Sequence, residues 1–289
     1  MAPDRLRERI GEQFSYRGSR ADVWRLFDLI LDTDAFLNLG YSERYRPHFV
    51  GSSQRRLAAR VGRELAARLP TTDVTLLDVG CGRGGPTVHL SERFGFRAVG
   101  VDLVPYNVAR ARENAAGSDA DAGFVVGDAT ALPFAPGSVP ACVAIDAFVY
   151  LPDRAAVLSE IETALEPGGY LAFSDLVVRA GADDAERQAV ERFADAWDMP
   201  PPWSRPAYER ALDDAGFEVC SVADVSAHSV GRFRKWTTPF VWLHAGPLGG
   251  LVDRALSTRG LDAATITDQV RRAHEALPAL RHEIFVAGK

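Results

Sequence analysis

Leu76-Leu77-Asp78-Val79-Gly80-Cys81-Gly82-Arg83-Gly84-Gly85 is the stretch that decides the fold. With Val74 and Thr75 before it, it opens as a short β-branched and apolar run, suited to a strand buried on both faces. It closes in glycines where a helical stretch begins and runs to about Arg93. Glycines let a backbone turn sharply and approach a ligand with no Cβ in the way. A loop ending at a helix N-terminus presents free N–H groups, which favour a carboxylate or a phosphate. Gly80, Gly82 and Gly85 also satisfy the spacing of the dinucleotide fingerprint, a weak signal by itself. Asp78 weighs against that reading. Just before the first glycine, it is placed to meet a cationic amino group, and a pyrophosphate would be repelled there.

Outward from this loop, strands and helices alternate. Arg97 to Asp102, Ala122 to Val126, Ala141 to Ile145 and Tyr170 to Leu176 read as further strands. Asn107 to Ala116 and Arg154 to Leu165 read as helices between them. This βαβ rhythm predicts a doubly wound, mostly parallel sheet. Asp102 ends the second strand about twenty residues beyond the glycines, where an acid accepts both ribose hydroxyls of an adenosine. Leu103 would then flank the adenine. In Gly127-Asp128-Ala129, Asp128 ends the third strand and is placed to accept a hydrogen bond from an adenine amino group.

The flanks read differently. Arg20 to Leu31 and Arg55 to Leu69 space their apolar residues as helices, and Pro70-Thr71-Thr72-Asp73 closes that region. Beyond the sheet, Asp183 to Trp197 reads as a helix stopped by Pro200-Pro201-Pro202. Pro206 to Ala215 is a short helix capped by Gly216, Phe217 to Val225 a strand, and Glu283 to Ala287 a last strand. The expected division is a helical lid over 1–70, a core over 71–225, a substrate cap over 226–280 and a closing strand over 281–289.

Composition narrows the function. With 289 residues, 47% of them hydrophobic, the chain has room for one large α/β domain with additions. A formal net charge of -6 argues against a nucleic-acid partner, which needs a basic face. No run approaches the roughly 20 apolar residues that span a bilayer. The start, Met1 to Arg5, lacks the apolar core of a signal peptide, so a cytoplasmic protein is expected. Cys81, Cys142 and Cys220 lie far apart without metal-ligand spacing, so they read as reduced thiols and no metal is expected. The oligomeric state leaves no signal.

LLDVGCGRGG, VGVDL, GDATALPF and LEPGGYLAFSD, in that order, resemble the motifs of class I S-adenosylmethionine (SAM)-dependent methyltransferases. More narrowly they resemble the branch holding ubiquinone methylases and natural-product methyltransferases. The resemblance is strong from about Val74 to Asp175. It implies a Rossmann-like, doubly wound seven-stranded sheet with a reversed last strand, a place that His282 to Ala287 suits. It also implies SAM as cofactor, a small-molecule acceptor, and cofactor contacts at Asp78, Gly80, Gly82, Asp102, Leu103, Asp128, Ala129 and Asp146. Upstream, Phe36 to Tyr41 resembles a segment whose tyrosine closes over the methionine end of SAM, which gives that role to Tyr41.

The segment after the fourth strand, Asp146 to Arg154, is expected to face the transferred methyl. Several related O-methyltransferases hold a histidine base at the place of Val149 and Tyr150, and this sequence departs from them. Tyr150 reads as a weak base, a hydrogen-bond donor or a packing aromatic. Phe233, Trp236, Phe240 and Trp242, with His228 and His244, read either as core or as a cover over the substrate. Together with Trp197 and Trp203 they point to an apolar acceptor, and His244 is a second candidate base. The expected function is methyl transfer to an oxygen or carbon of a small, apolar secondary metabolite. The alternative is a SAM-binding fold that accelerates a cyclisation without methyl transfer. An NAD-dependent oxidoreductase is permitted by the glycine triplet alone. A nucleic-acid or protein methyltransferase is disfavoured by the acidity and by the lack of an appended module.

Overall fold

A computed structural model describes residues 3–28, 34–42 and 53–289. In chain order the helices are α1 (Pro3–Phe14), α2 (Asp22–Asp28), α3 (Ser53–Ala66), α4 (Gly85–Phe94), α5 (Pro105–Ala116), α6 (Arg154–Ala164), α7 (Asp184–Ala196), α8 (Arg205–Asp214), α9 (Val230–Ala245), α10 (Gly249–Ser257) and α11 (Ala263–Ala276). The strands are β1 (Thr75–Val79), β2 (Arg97–Asp102), β3 (Ala122–Val126), β4 (Val139–Ile145), β5 (Leu165–Val178), β6 (Glu218–Asp224) and β7 (Leu280–Gly288). The helix expected from Arg20 to Leu31 is met by α2, and its last part lies outside the described residues.

All seven strands join one sheet in the order β3-β2-β1-β4-β5-β7-β6. Strands β1 to β5 pair in parallel, while β7 runs antiparallel to both β5 and β6. The reversed last strand is therefore present. Each face of the sheet is covered, which is why β1 is apolar without alternation. Leu76 packs with Leu57 of α3, Leu90 of α4 and Phe96. Its neighbour Leu77 faces the opposite side, in the cluster of Phe148, Phe173, Tyr208 and Phe285.

Strands β5 and β7 are longer than their apolar runs, pairing from Tyr170 with Gly288 to Val178 with Leu280. Polar residues at 175 and 281–283 interrupt the pattern, yet Asp175, His282 and Glu283 are buried. Each has a partner: Arg205, for instance, holds Glu283 with Nε at 2.9 Å and Nη2 at 2.5 Å. Paired charges are what allow such residues inside a sheet.

The helical cover is one packing unit made from distant parts of the chain. Ile10, Phe14, Trp24, Phe193, Trp197, Phe233, Ile266 and Val270 form a single cluster from α1, α2, α7, α9 and α11. Buried Gln269 ties it together, donating to the carbonyls of Ala196 (3.1 Å) and Arg20 (3.2 Å) and accepting from the Trp197 indole (3.1 Å). Helix α7, which precedes residue 225, packs with α9 and α11 of the 226–280 segment. Its burial is set by side chains more than seventy positions away, which no local pattern carries. Among the described residues, no helix is long and apolar enough to cross a membrane.

Candidate active site

The cleft opens at the C-terminal ends of β1, β2 and β4, where the strand order reverses direction between β1 and β4. Such switch points are where open α/β sheets bind ligands. It encloses about 1020 Å³ including its mouth, with Ile10 and Phe14 of α1 on one side. The glycine loop forms its floor. Gly80 and Gly82 have φ of 71° and 55°, in the left-handed region that favours glycine. A Cβ on Gly80 would stand 2.5 Å from that of Ala147, and one on Gly82 3.2 Å from Leu37.

Four carboxylates line this cleft: Asp102, Asp128, Asp146 and Asp153. Asp102 accepts from the N–H groups of Gly82 and Val104, both at 2.9 Å, and from the Asn107 amide at 3.2 Å. Burial raises its pKa, against the pull of those donors. The other end of that amide, Asn107 Oδ1, is buried without a partner among the described residues. Asp128 accepts from the Thr130 N–H at 2.9 Å and its hydroxyl at 2.8 Å. Asp146, in the left-handed region at φ 54°, takes the Leu39 N–H at 2.7 Å, the Ser174 hydroxyl at 2.5 Å and His282 Nε2 at 2.9 Å. Burial alone would raise the Asp146 carboxyl, but His282 outweighs it and holds the group below its ordinary range. Burial likewise opposes protonation of His282, and the Asp146 charge overcomes it, so His282 titrates above its usual range.

A second cavity of about 760 Å³ lies beneath the helical cover. Trp24, Phe27, Phe193, Trp197, Phe233 and Leu277 give it apolar walls, and Asp175 and Gln54 are its polar members outside the neck. Leu37, Asn38, Asp146 and Tyr150 line both cavities and so form the neck between them. Asp175 receives the Tyr208 hydroxyl and the Leu176 N–H, the latter at 2.9 Å. Burial pushes its carboxyl up to about 6, despite Arg154 and these donors. Tyr150 lies edge-on to Phe14 with centroids 5.0 Å apart. Burial, and then the charges of Asp146, Asp198 and Asp175, drive its hydroxyl far above the ordinary tyrosine range. A proton is not taken up by such a group at neutral pH.

The cleft thus gathers Gly80, Gly82, Asp102, Leu103, Asp128, Ala129, Asp146 and Tyr150. Three other candidates lie elsewhere. Asp78 is buried under the loop, with the Thr87 hydroxyl on its carboxylate at 2.6 Å; burial raises it to about 7. Tyr41 stacks on His228 at 5.0 Å and takes no part in either cavity wall. His244 sits at the end of α9 with Nε2 3.0 Å from Asp253, in a separate open groove beside the start of α11. Trp236 and Trp242 are exposed, and Trp203 packs beside the Arg154 guanidinium at 5.2 Å. Sequence reading passed over Asn38, Gln54, Asn107, Asp175 and His282 as site residues. Asp175 carried a signal as the acid closing LEPGGYLAFSD, and Asn38 lay within the Phe36 to Tyr41 segment without being singled out.

Among the described residues lining the cleft there is no arginine, lysine or histidine. That suits no pyrophosphate. Carboxylates at two strand ends, an unpartnered Asn107 oxygen and a glycine floor instead fit a nucleoside attached to a cationic group, as in SAM. Fold and cleft together are those of a SAM-dependent methyltransferase.

Comparison with known proteins agrees. The family described as "Methyltransferase domain" matches residues 77–173. O-methyltransferase resE of Aspergillus sclerotiorum is 31% identical over 217 residues, 71% of this chain and 79% of that protein. Methyltransferase GfsG of Streptomyces halstedii is 33% identical over 153 residues, 52% of this chain and 55% of that one, so the match spans about half of its length. The fold is shared with geranyl diphosphate C-methyltransferase from Streptomyces coelicolor A3(2), solved with Mg2+, geranyl-S-thiolodiphosphate and S-adenosyl-L-homocysteine. That similarity has a TM-score of 0.70 at 20% identity and covers 100% of this chain and 99% of that one. The chain belongs to the SAM-dependent methyltransferase family.

Proposed function

We propose that this enzyme methylates a hydroxyl oxygen of a small, apolar metabolite held in the inner cavity. The observation carrying this reading is the neck: a polar nucleoside cleft and an aromatic-walled cavity share Leu37, Asn38, Asp146 and Tyr150. An acceptor in the second cavity would meet a cofactor in the first only there. The names of the O-methyltransferase relatives support oxygen over carbon.

SAM supplies a methyl already activated on a sulfonium, so the protein's main tasks are alignment and exclusion of water. In this reading Asp102 accepts the ribose hydroxyls, Asp128 and Ala129 hold the adenine edge, and Leu103 flanks its face. Gly80 and Gly82 leave room for the methionine end. Asp146, kept ionised by His282, puts negative charge at the neck, where it favours a cation. The α1 and α2 helices act as a lid, because Ile10, Phe14, Trp24 and Phe27 wall the two cavities. Tyr150 orients the acceptor and moves no proton. The hydroxyl proton goes to Asp175, the buried carboxylate of the inner cavity.

The test is incubation with methyl-deuterated SAM and a panel of apolar phenols and alcohols, read by mass spectrometry and NMR. The expected product is heavier by one labelled methyl, attached to oxygen. Label on carbon would refute the oxygen assignment. A product isomeric with its substrate, formed without release of S-adenosylhomocysteine, would establish cyclisation instead.

A further inference from the structure

Asn38 lines both cavities, and among the described residues neither end of its side-chain amide has a hydrogen-bond partner. The residue is only 6% exposed, which keeps its side chain away from bulk solvent. Its backbone is fixed from two directions. Buried Gln54 donates to the carbonyls of Phe36 at 2.8 Å and Asn38 at 3.0 Å. On the other side Asp146 takes the N–H of the next residue, Leu39, at 2.7 Å. A held amide with both ends unmatched is costly unless a ligand completes it, because buried donors and acceptors are otherwise paired.

We propose that the Asn38 carboxamide recognises an acceptor carrying two oxygens on adjoining carbons, at least one of them a hydroxyl. The amide presents one acceptor and one donor side by side, and a single hydroxyl cannot satisfy both with good geometry. Oδ1 accepts from the hydroxyl, and Nδ2 donates to the neighbouring oxygen. The acceptor class is then a catechol, an ortho-alkoxy phenol or a vicinal hydroxy-ketone on an apolar frame. This inference rests on the inner cavity being the acceptor site.

Calorimetry on the full chain with S-adenosylhomocysteine bound tests it, using 2,3-dihydroxynaphthalene, 3-methoxy-2-naphthol and 2-naphthol as probes. The wild type should prefer the first two over 2-naphthol by about tenfold, the size expected when one buried hydrogen bond is made or lost. Asn38→Leu should erase that preference. Asn38→Asp keeps the volume but removes the donor, so it should lose the methoxy probe while keeping the diol. Affinity for S-adenosylhomocysteine should not change in either variant. Equal affinities in the wild type, or a preference that survives Asn38→Leu, would overturn the proposal. A matching loss of S-adenosylhomocysteine affinity would overturn it too, by giving the amide to the cofactor. If none of the three probes binds, the acceptor-cavity reading falls together with this one.

Discussion

The two cavities that meet at Asn38 are made of different material. The outer one is built on strand ends and the loops just after them, with carboxylates and backbone groups converging on a glycine floor. The inner one is drawn from α2, α7, α9, α11 and the end of β5, and most of its wall is aromatic or aliphatic. A polar site needs atoms fixed to within fractions of an ångström, and sheet edges provide that rigidity. An apolar pocket needs volume and shape, which packed helices provide and which can be changed by repacking them. In the proposed reading, the part that serves the cofactor is therefore local and rigid, and the part that would select the acceptor is dispersed.

The largest expected effect lies in the outer cavity. Gly82→Val puts a β-branched residue at a left-handed position and places carbon against Leu37. SAM binding should weaken about a hundredfold or more, with the protein still folded by circular dichroism. A folded variant with ordinary SAM affinity would remove the loop from the cofactor site.

Asp175→Asn probes the inner cavity and should be almost as damaging to turnover, while sparing SAM affinity. Loss of a general base typically costs about a hundredfold or more in kcat. The pH dependence carries a sign. Asp175 must be ionised to accept a proton, and burial raises its carboxyl to about 6, so the wild-type rate should climb through that pH and level off above it. The variant should lack that climb. An unchanged profile in Asp175→Asn would return proton removal to solvent or to the acceptor itself.

The same contrast explains what could be read in advance. Asp102 and Asp128 were legible because strand ends are marked by apolar runs, and the residue just after a run is the one at the cleft. The sheet, its reversed edge and the glycine floor followed from that short-range grammar. Asn38 and His282 were not legible as site residues, since their roles depend on Gln54 and Asp146, which lie 16 and 136 positions away from them. Tyr41 was expected from its motif to close over SAM, whereas its stacking partner, His228, is far along the chain and has no mark in that motif. The exposure of Trp236 and Trp242 had no signal either, because an aromatic cluster in sequence says nothing of which face a helix buries.

A smaller effect is expected at Asp102. Asp102→Ala removes the strand-end carboxylate assigned to the ribose and also frees the Gly82 N–H that it holds at 2.9 Å. Hydrogen bonds to a charged group contribute about 1.5–3 kcal/mol, so calorimetry should show SAM affinity falling roughly 10- to 150-fold. At saturating SAM the turnover number should change little. A variant with full affinity would break the likeness between this strand end and a nucleoside site.

The smallest effect is predicted at His244, and it sharpens the comparison most. A histidine is a better base than a buried aspartate on reputation, and His244 stands in an aromatic helix of the cover. The structure sets it apart from the neck: its ring meets Asp253 at 3.0 Å in an open groove, and it lines neither of the two cavities. With side chains 28% and 46% exposed, that contact is screened by solvent and contributes at most about 1 kcal/mol to stability. His244→Ala should therefore leave kcat within about twofold, because no general-acid or general-base contribution is removed. Thermal melting should fall by no more than a few degrees, the shift that about 1 kcal/mol produces in a chain of this size. A hundredfold loss of kcat, together with loss of the rise through pH 6, would mean that α9 brings His244 to the neck during turnover. The base would then belong to the helical cover and not to the end of β5, and the division between a rigid chemical floor and a purely selective cover would fail.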